Sequence, residues 1–231
     1  MICLVFRPSD LKNIVEVYNL RNNAKGGGKN LPGPGEVCAL DWADFSAMMQ
    51  PKEKLYLLAH GSTMKVSTGK KECSAPELAK KLLDAKLRPD VGSIKLVACN
   101  TGTNPNNGLD PFCSVLSREI YTQSGKTINV RVTGVVGIEV VQQDGKIRGK
   151  NVRFSDTAEY KAMNYDVTWK DQVTAWESEI AQMNLGSGKE ILQAADQMTR
   201  KTQAFFEKLY EINANYIQSK NDSRFHSPPN Q

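Results

Sequence analysis

A histidine and a cysteine close two apolar runs, "LYLLAHG" at 55–61 and "IKLVACNTG" at 94–102. Cysteine brings a thiolate nucleophile, and imidazole is the side chain best suited to taking and returning its proton near neutral pH. If each run is a buried strand of a parallel sheet, both side chains arrive at strand carboxyl ends, the edge at which open α/β sheets bind ligands. Adjacent strands ending this way set thiol and imidazole side by side, as nucleophilic acyl transfer requires. Cys99 then attacks a carbonyl, while His60 lowers the thiol pKa and later protonates the leaving amine. Gly61 lets backbone approach a substrate closely, and its N–H, with that of Cys99, is suited to holding an oxyanion. Singly, each residue has a plainer explanation, because free cysteines and satisfied histidines are ordinary components of cores. The shared relation to a strand end is what favours catalysis.

The elements needed to position this pair are legible around it. "ICLVF" reads as a strand and "SDLKNIVEVYNL" as a short capped helix. "RNNAKGGGKNLPGPGE" is a glycine- and proline-rich loop without a phosphate-cradling spacing. "DWADFSAMM" looks helical. "SAPELAKKLLDAKL" is an amphipathic helix with Ser74 as N-cap, Pro76 in the first turn and Glu77 completing a capping box. "DPFCSVLSREIYTQSG" is a further helix ending at Gly125, and "INVRVTGVVGIEVVQQDGKIRG" reads as β structure with an Asp-Gly turn. Strands alternating with helices imply a mostly parallel α/β sheet with right-handed crossovers, placed at residues 1–155.

Beyond it the pattern changes. Trp169, Val173, Trp176, Ile180 and Met183 are spaced 4-3-4-3, and Ile191, Ala195, Met198, Thr202, Phe205, Leu209, Ile212 and Tyr216 continue the alternation after "NLGSG". Two helices with one apolar stripe each form a helical hairpin at 156–220, packed internally or on the sheet, with partner binding through its face as the rival role. Residues 221–231, the end of the polar "SKNDSRFHSPPNQ", are expected to be a disordered tail.

Composition excludes several classes. The net charge of +5 is spread over scattered lysines and arginines without interleaved aromatic residues, which argues against nucleic acid as a partner. No apolar run reaches the length of a membrane span, and the opening "MICLVFRPSD" lacks the form of a secretory signal. Five dispersed cysteines, an odd number without a CxxC, suit free thiols in the cytosol rather than a disulfide scaffold. Cys3 and Cys113 are expected to be packing residues, and Cys38 and Cys73, near loops, to be exposed. With only His60 and His226 in the chain, a histidine-based metal site is not expected, nor is any other metal or redox cofactor.

"YLLAHG" and "KLVACNTG", with the "APELAKKLL" helix between them, resemble the caspase-like cysteine peptidases of clan CD. Their hallmark is a strand with His-Gly, a helix, and a strand ending in Ala-Cys. "LVACNTG" looks especially like the caspase-related CHAT domains, and the intervening helix is similar to that of the autoprocessing cysteine peptidase domains of large bacterial toxins. The similarity covers about residues 50–145. It implies a caspase-like α/β/α sandwich and a thiol protease with a Cys-His dyad, carried here onto Cys99 and His60. "CNTG" departs from the caspase pattern after the cysteine, so specificity for aspartate is not implied. Toxin-type members also carry an upstream acidic residue that orients the histidine, for which Asp41 and Asp44 are candidates by position. Those members are activated by inositol hexakisphosphate at a basic surface, which the lysines here allow without a matching motif.

The expectation is therefore a cysteine endopeptidase acting on protein substrates, with a bacterial effector moved into a host cytosol as one setting by analogy. Two rivals stay open: a non-catalytic interaction protein that kept the dyad, and another thiol-dependent acyl-transfer enzyme.

Overall fold

The computed structural model describes residues 1–6, 11–25, 36–67, 71–105, 109–136, 138–141, 147–150 and 165–225. Its elements run in the order β1 (Ile2–Leu4), α1 (Leu11–Lys25), β2 (Val37–Ala39), a 3-10 turn (Leu40–Trp42), α2 (Phe45–Met48), β3 (Lys54–Leu58), β4 (His60–Gly61), β5 (Val66–Ser67), β6 (Glu72–Cys73), α3 (Ala75–Asp84), β7 (Ser93–Val97), α4 (Phe112–Gln123), β8 (Val132–Thr133), β9 (Ile138–Val141), β10 (Ile147–Lys150), α5 (Tyr165–Gln182) and α6 (Gly188–Phe225).

Five of these strands form one sheet in the order β2-β1-β3-β7-β8, and every neighbouring pair is parallel. The order reverses direction between β1 and β3, the kind of switch point at whose strand carboxyl ends open α/β sheets bind ligands. Side-chain alternation divides the core in two. Cys3, Leu55, Leu57 and Leu96 face Leu78 and Leu82 of α3 and Leu116 and Ile120 of α4. On the other face Ile2, Leu4, Tyr56, Leu58 and Val97 meet Ile14 and Val17 of α1, Trp176 and Ile180 of α5, and Ile191, Ala195 and Met198 of α6. Each leucine or isoleucine buried this way contributes about 1.5–3 kcal/mol from apolar burial.

The expected alternation of strand and helix is therefore present, with helices on both faces. The Ser74–Glu77 capping box forms, with the Ser74 N–H donating to Glu77 Oε2 at 2.8 Å. The hairpin stripe packs on the sheet: Trp176, Ile180, Ile191, Ala195 and Met198 are buried in the same cluster as the strands. Trp169, Leu209, Ile212 and Tyr216, the outer members of the stripe, lie outside the described side chains. Helix α6 runs to Phe225, past the expected end at 220. Residues 26–35, 142–146, 151–164 and 226–231 lie outside the described residues, and with them most of the glycine-rich loop, the Asp-Gly turn, the expected domain boundary and His226.

Two expectations about thiols are corrected. Cys38 and Cys73 are buried, at 0% and 1% exposure. Cys38 belongs to β2, a strand of three residues hidden between loop and turn sequence, where it pairs in register with Cys3. Cys73 belongs to the two-residue strand β6, which pairs with β5 and turns the thiol into the α3 core.

Candidate active site

Strands β3 and β7 are in register from Lys54↔Ser93 to Leu58↔Val97, and the Ala59 N–H donates to Val97 O at 3.3 Å, carrying the ladder one step further. His60 and Cys99 each lie two residues beyond the Leu58↔Val97 pair. They therefore leave neighbouring strands at the same height on the carboxyl rim, and both are half-buried. From there the chains part. His60 and Gly61 enter an antiparallel sheet of order β4-β5-β6, while Cys99 enters a tight turn.

That turn is held from within the fold. Asn100 adopts the left-handed conformation, φ 57°, which asparagine tolerates better than most residues. Thr101 is fully buried; its Oγ1 donates to Ala98 O at 2.8 Å and accepts the Val135 N–H at 3.3 Å. The Cys113 N–H donates to Thr101 O at 3.0 Å, and the Gly102 N–H donates to Val135 O at 2.9 Å. Thr101 thus joins the cysteine turn, the exit of β8 and the first turn of α4. Gly134 closes the contact from the β8 side, since a Cβ there would stand 2.5 Å from Gly102 N. Neither residue was among those singled out by sequence. The signal available was a threonine two positions after the cysteine, whose partner lies 34 residues away.

Gly61 packs directly on the Ala98–Cys99 segment. Its N–H has a defined direction as well. The Ser62 N–H donates to Lys65 O at 2.9 Å, making 62:65 a hydrogen-bonded pair. The antiparallel alternation then turns the Gly61 N–H away from β5.

All five cysteines are free, and Cys99 alone is not buried. Burial, together with the neighbouring Cys38, pushes the Cys3 thiol well above its ordinary value. Burial pushes Cys73 up to about 11. These two are poor sources of thiolate.

The acidic candidates lie on other elements. Asp44 caps α2, accepting the Ser46 and Ala47 N–H groups, and forms an ion pair with Lys86. The Lys86 hydrogen bond, with that from Ser46, lowers its pKa to about 2. The Phe45 N–H donates to Ala85 O at the end of α3, and in a parallel crossover that helix end lies at the amino rim, opposite His60. Asp41 is exposed on the turn after β2, where its charge bears on Cys3. β1 separates β2 from β3, a lateral distance of roughly 10 Å. The structure brings Gly61 and Cys99 into contact beside His60 and puts Asp44 at the opposite rim, while Asp41, two residues past the Ala39–Leu4–Leu58 row, stands on the same rim as His60 with β1 between them.

No protein-family model matches the chain, and neither a curated protein nor a solved structure does. Among the described residues no group of three or more His, Cys, Asp or Glu is placed to hold a metal ion, and no helix is long and apolar enough to cross a membrane.

Proposed function

We propose that this chain is a cysteine endopeptidase on a caspase-like α/β/α sandwich, with Cys99 as nucleophile and His60 as proton carrier. The observation that carries the reading is the shared register of the two residues, each two positions past Leu58↔Val97 on adjacent parallel strands. Support comes from the half-exposure of Cys99 beside four buried thiols and from the turn that Thr101 fixes around it.

The Cys99 thiol gives its proton to His60 and its sulfur attacks the scissile carbonyl carbon, forming a tetrahedral oxyanion. The Gly61 and Cys99 N–H groups stabilise that oxyanion. Collapse breaks the C–N bond, His60 protonates the departing amine, and a thioester remains. Water, deprotonated by His60, then releases the acid and restores the thiol. Asp44 is not given the role of third residue, because its carboxylate caps α2 and pairs with Lys86, whereas Asp41, two residues past Ala39 on the rim of His60, keeps its candidacy for orienting the imidazole. A cavity of about 750 Å³ sets Arg21 and Lys189 among Glu36 and Asp196, a mixed lining rather than the basic surface that an inositol-phosphate activator requires. A reducing cytosol, including that of a host cell entered by a bacterial effector, is the setting that free thiols suit.

The test is alkylation and cleavage on one protein preparation. Iodoacetamide is expected to label Cys99 first, more slowly in His60→Ala, and proteome-wide mapping of new N-termini to show sites that disappear in Cys99→Ala. The single and double substitutions should be about equally inactive, because the pair acts as a unit. Cleavage retained in Cys99→Ala rejects the assignment. Selective labelling without new N-termini points to a different acyl acceptor or to a binding role.

A further inference from the structure

Beside the dyad rim lies a cavity of about 330 Å³. One wall is the β4–β5 turn, which carries Met64, and the other is the entry to α4, with Leu109, Phe112 and Val115; Pro76 of α3 and Arg118 complete it. Both walls are continuations of the segments that bear the dyad. Met64 is four residues beyond His60, so its Cα is within about 14 Å even along a fully extended chain. Its turn is fixed by Ser62 Oγ, which accepts the Met64 and Lys65 N–H groups at 3.3 and 3.1 Å. The α4 entry is tied to the cysteine turn by the 3.0 Å bond from the Cys113 N–H to Thr101 O.

The lining selects a chemistry. Met64 is 54% and Leu109 52% exposed, two of only four large apolar side chains exposed among the described residues. Exposed apolar groups gathered round a concavity mark a binding site. Among the described lining residues the one cation, Arg118, is paired with Asp110 at 2.7 Å, so an apolar guest leaves that pair intact whereas a charged one would have to compete with it. Size agrees: a cavity of about 150 Å³ admits benzene, so this one accepts a leucine-, methionine- or phenylalanine-sized side chain with its backbone at the mouth.

We propose that this cavity is a substrate subsite that selects an apolar side chain two to four residues from the scissile bond, with Met64 and Leu109 as its specificity-determining residues. It rests on the peptidase reading, and it makes a prediction that does not need turnover. In full-length Cys99→Ala protein, binding of capped pentapeptides Ac-Ala-Ala-X-Ala-Ala-NH2 is measured by calorimetry, with X as Leu, Met, Asp, Lys or Gly. Leu and Met are expected to bind about tenfold or more tighter than Asp, Lys or Gly, the discrimination that small differences in an apolar pocket provide. Adding Leu109→Asp or Met64→Lys should remove the preference, and Leu109→Ala should weaken it, with melting curves confirming that these surface changes leave the fold intact. Equal binding of all five peptides overturns the subsite. So does a preference untouched by either substitution, or no binding at millimolar peptide. Iodoacetamide labelling of wild type reads the dyad separately. His60-dependent labelling without apolar preference rejects the subsite alone, whereas apolar preference without selective labelling leaves an apolar peptide-binding pocket and rejects the peptidase and, with it, the pocket's role as a substrate subsite.

Discussion

Gly61 lies against the Cys99 peptide: a Cβ on Gly61 would stand 2.5 Å from the Cys99 carbonyl oxygen and 2.8 Å from the Ala98 Cβ. The contact couples the two halves of the candidate site through backbone, independently of how either reactive side chain is rotated. It also explains why a glycine follows the histidine where the backbone has no positive φ to require one.

Gly61→Ala should therefore disturb the site more than its small volume suggests. Backbone atoms cannot yield as a flexible side chain does, so the β4 segment must move off the cysteine turn. Overpacking of this kind costs about 1–3 kcal/mol. The expected result is a lower melting temperature and a Cys99 alkylation rate reduced towards that of His60→Ala. Wild-type values for both would show that the contact has no role in holding the dyad.

Thr101→Val keeps the shape and removes the hydroxyl. The Ala98 carbonyl and the Val135 N–H then lose their partner inside the core, at a cost of about 1–3 kcal/mol for a group left unsatisfied. Thr101→Ser, which retains the oxygen, should recover most of the stability and the Cys99 alkylation rate. Denaturant midpoints and labelling rates of both variants check this. Equal behaviour of Val and Ser would mean that packing, not hydrogen bonding, sets the turn.

The thiols give a pH dependence of defined sign. Below pH about 8.5 Cys73 is protonated in both native and unfolded chains, and its full contribution to stability is present. Between about 9 and 11 the unfolded chain loses this proton while the native thiol, raised to about 11 by burial, keeps it. The native state then binds more protons, so stability falls as pH rises through that window. The urea midpoint should decrease from pH 8.5 to 10.5, less steeply in Cys73→Ala, with a residual slope from Cys3, which burial also raises. An identical slope in Cys73→Ala would contradict the burial of that thiol.

How much of this was legible in the sequence depends on how local each signal is. Leu55–Leu58 and Ile94–Val97 announce themselves as apolar runs, and Ser74 with Glu77 as a cap, because each pattern is contained in a few residues. The register that brings His60 opposite Cys99 follows from two adjacent parallel strands of equal length. Strand β2, by contrast, has three residues and no alternation long enough to read, so Cys38 looked like a loop residue. β5 and β6 have two residues each and exist only through pairing. Thr101 and Gly134 owe their importance to partners more than thirty positions apart, which a linear reading does not display. Asp44 illustrates the opposite error: chain position suggested a histidine partner, but its carboxylate is used by a helix start and a lysine.

The C-terminal hairpin gives the last prediction. Trp176 is 6% exposed and meets Phe205 edge-on, with ring centroids 5.7 Å apart and planes at 82°. At the turn, Gly188 sits so close to β2 that a Cβ would stand 2.2 Å from Val37 O. The hairpin therefore covers the sheet face that carries Ile2, Leu4, Tyr56 and Leu58, which α1 also covers. A large aromatic removed from such a core costs about 3–5 kcal/mol, so Trp176→Ala should lower the melting temperature markedly. Gly188→Ala should do so through displacement of the turn, although it adds only a methyl. Truncation at residue 160 exposes the apolar face and should leave protein that aggregates or melts well below full length. A hairpin serving only to capture partners predicts the reverse: a truncated chain of unchanged stability that still alkylates at Cys99 but no longer cleaves protein substrates. Melting curves and Cys99 labelling of residues 1–160 beside the full chain separate the two, and unchanged stability together with unchanged cleavage of protein substrates would remove both roles.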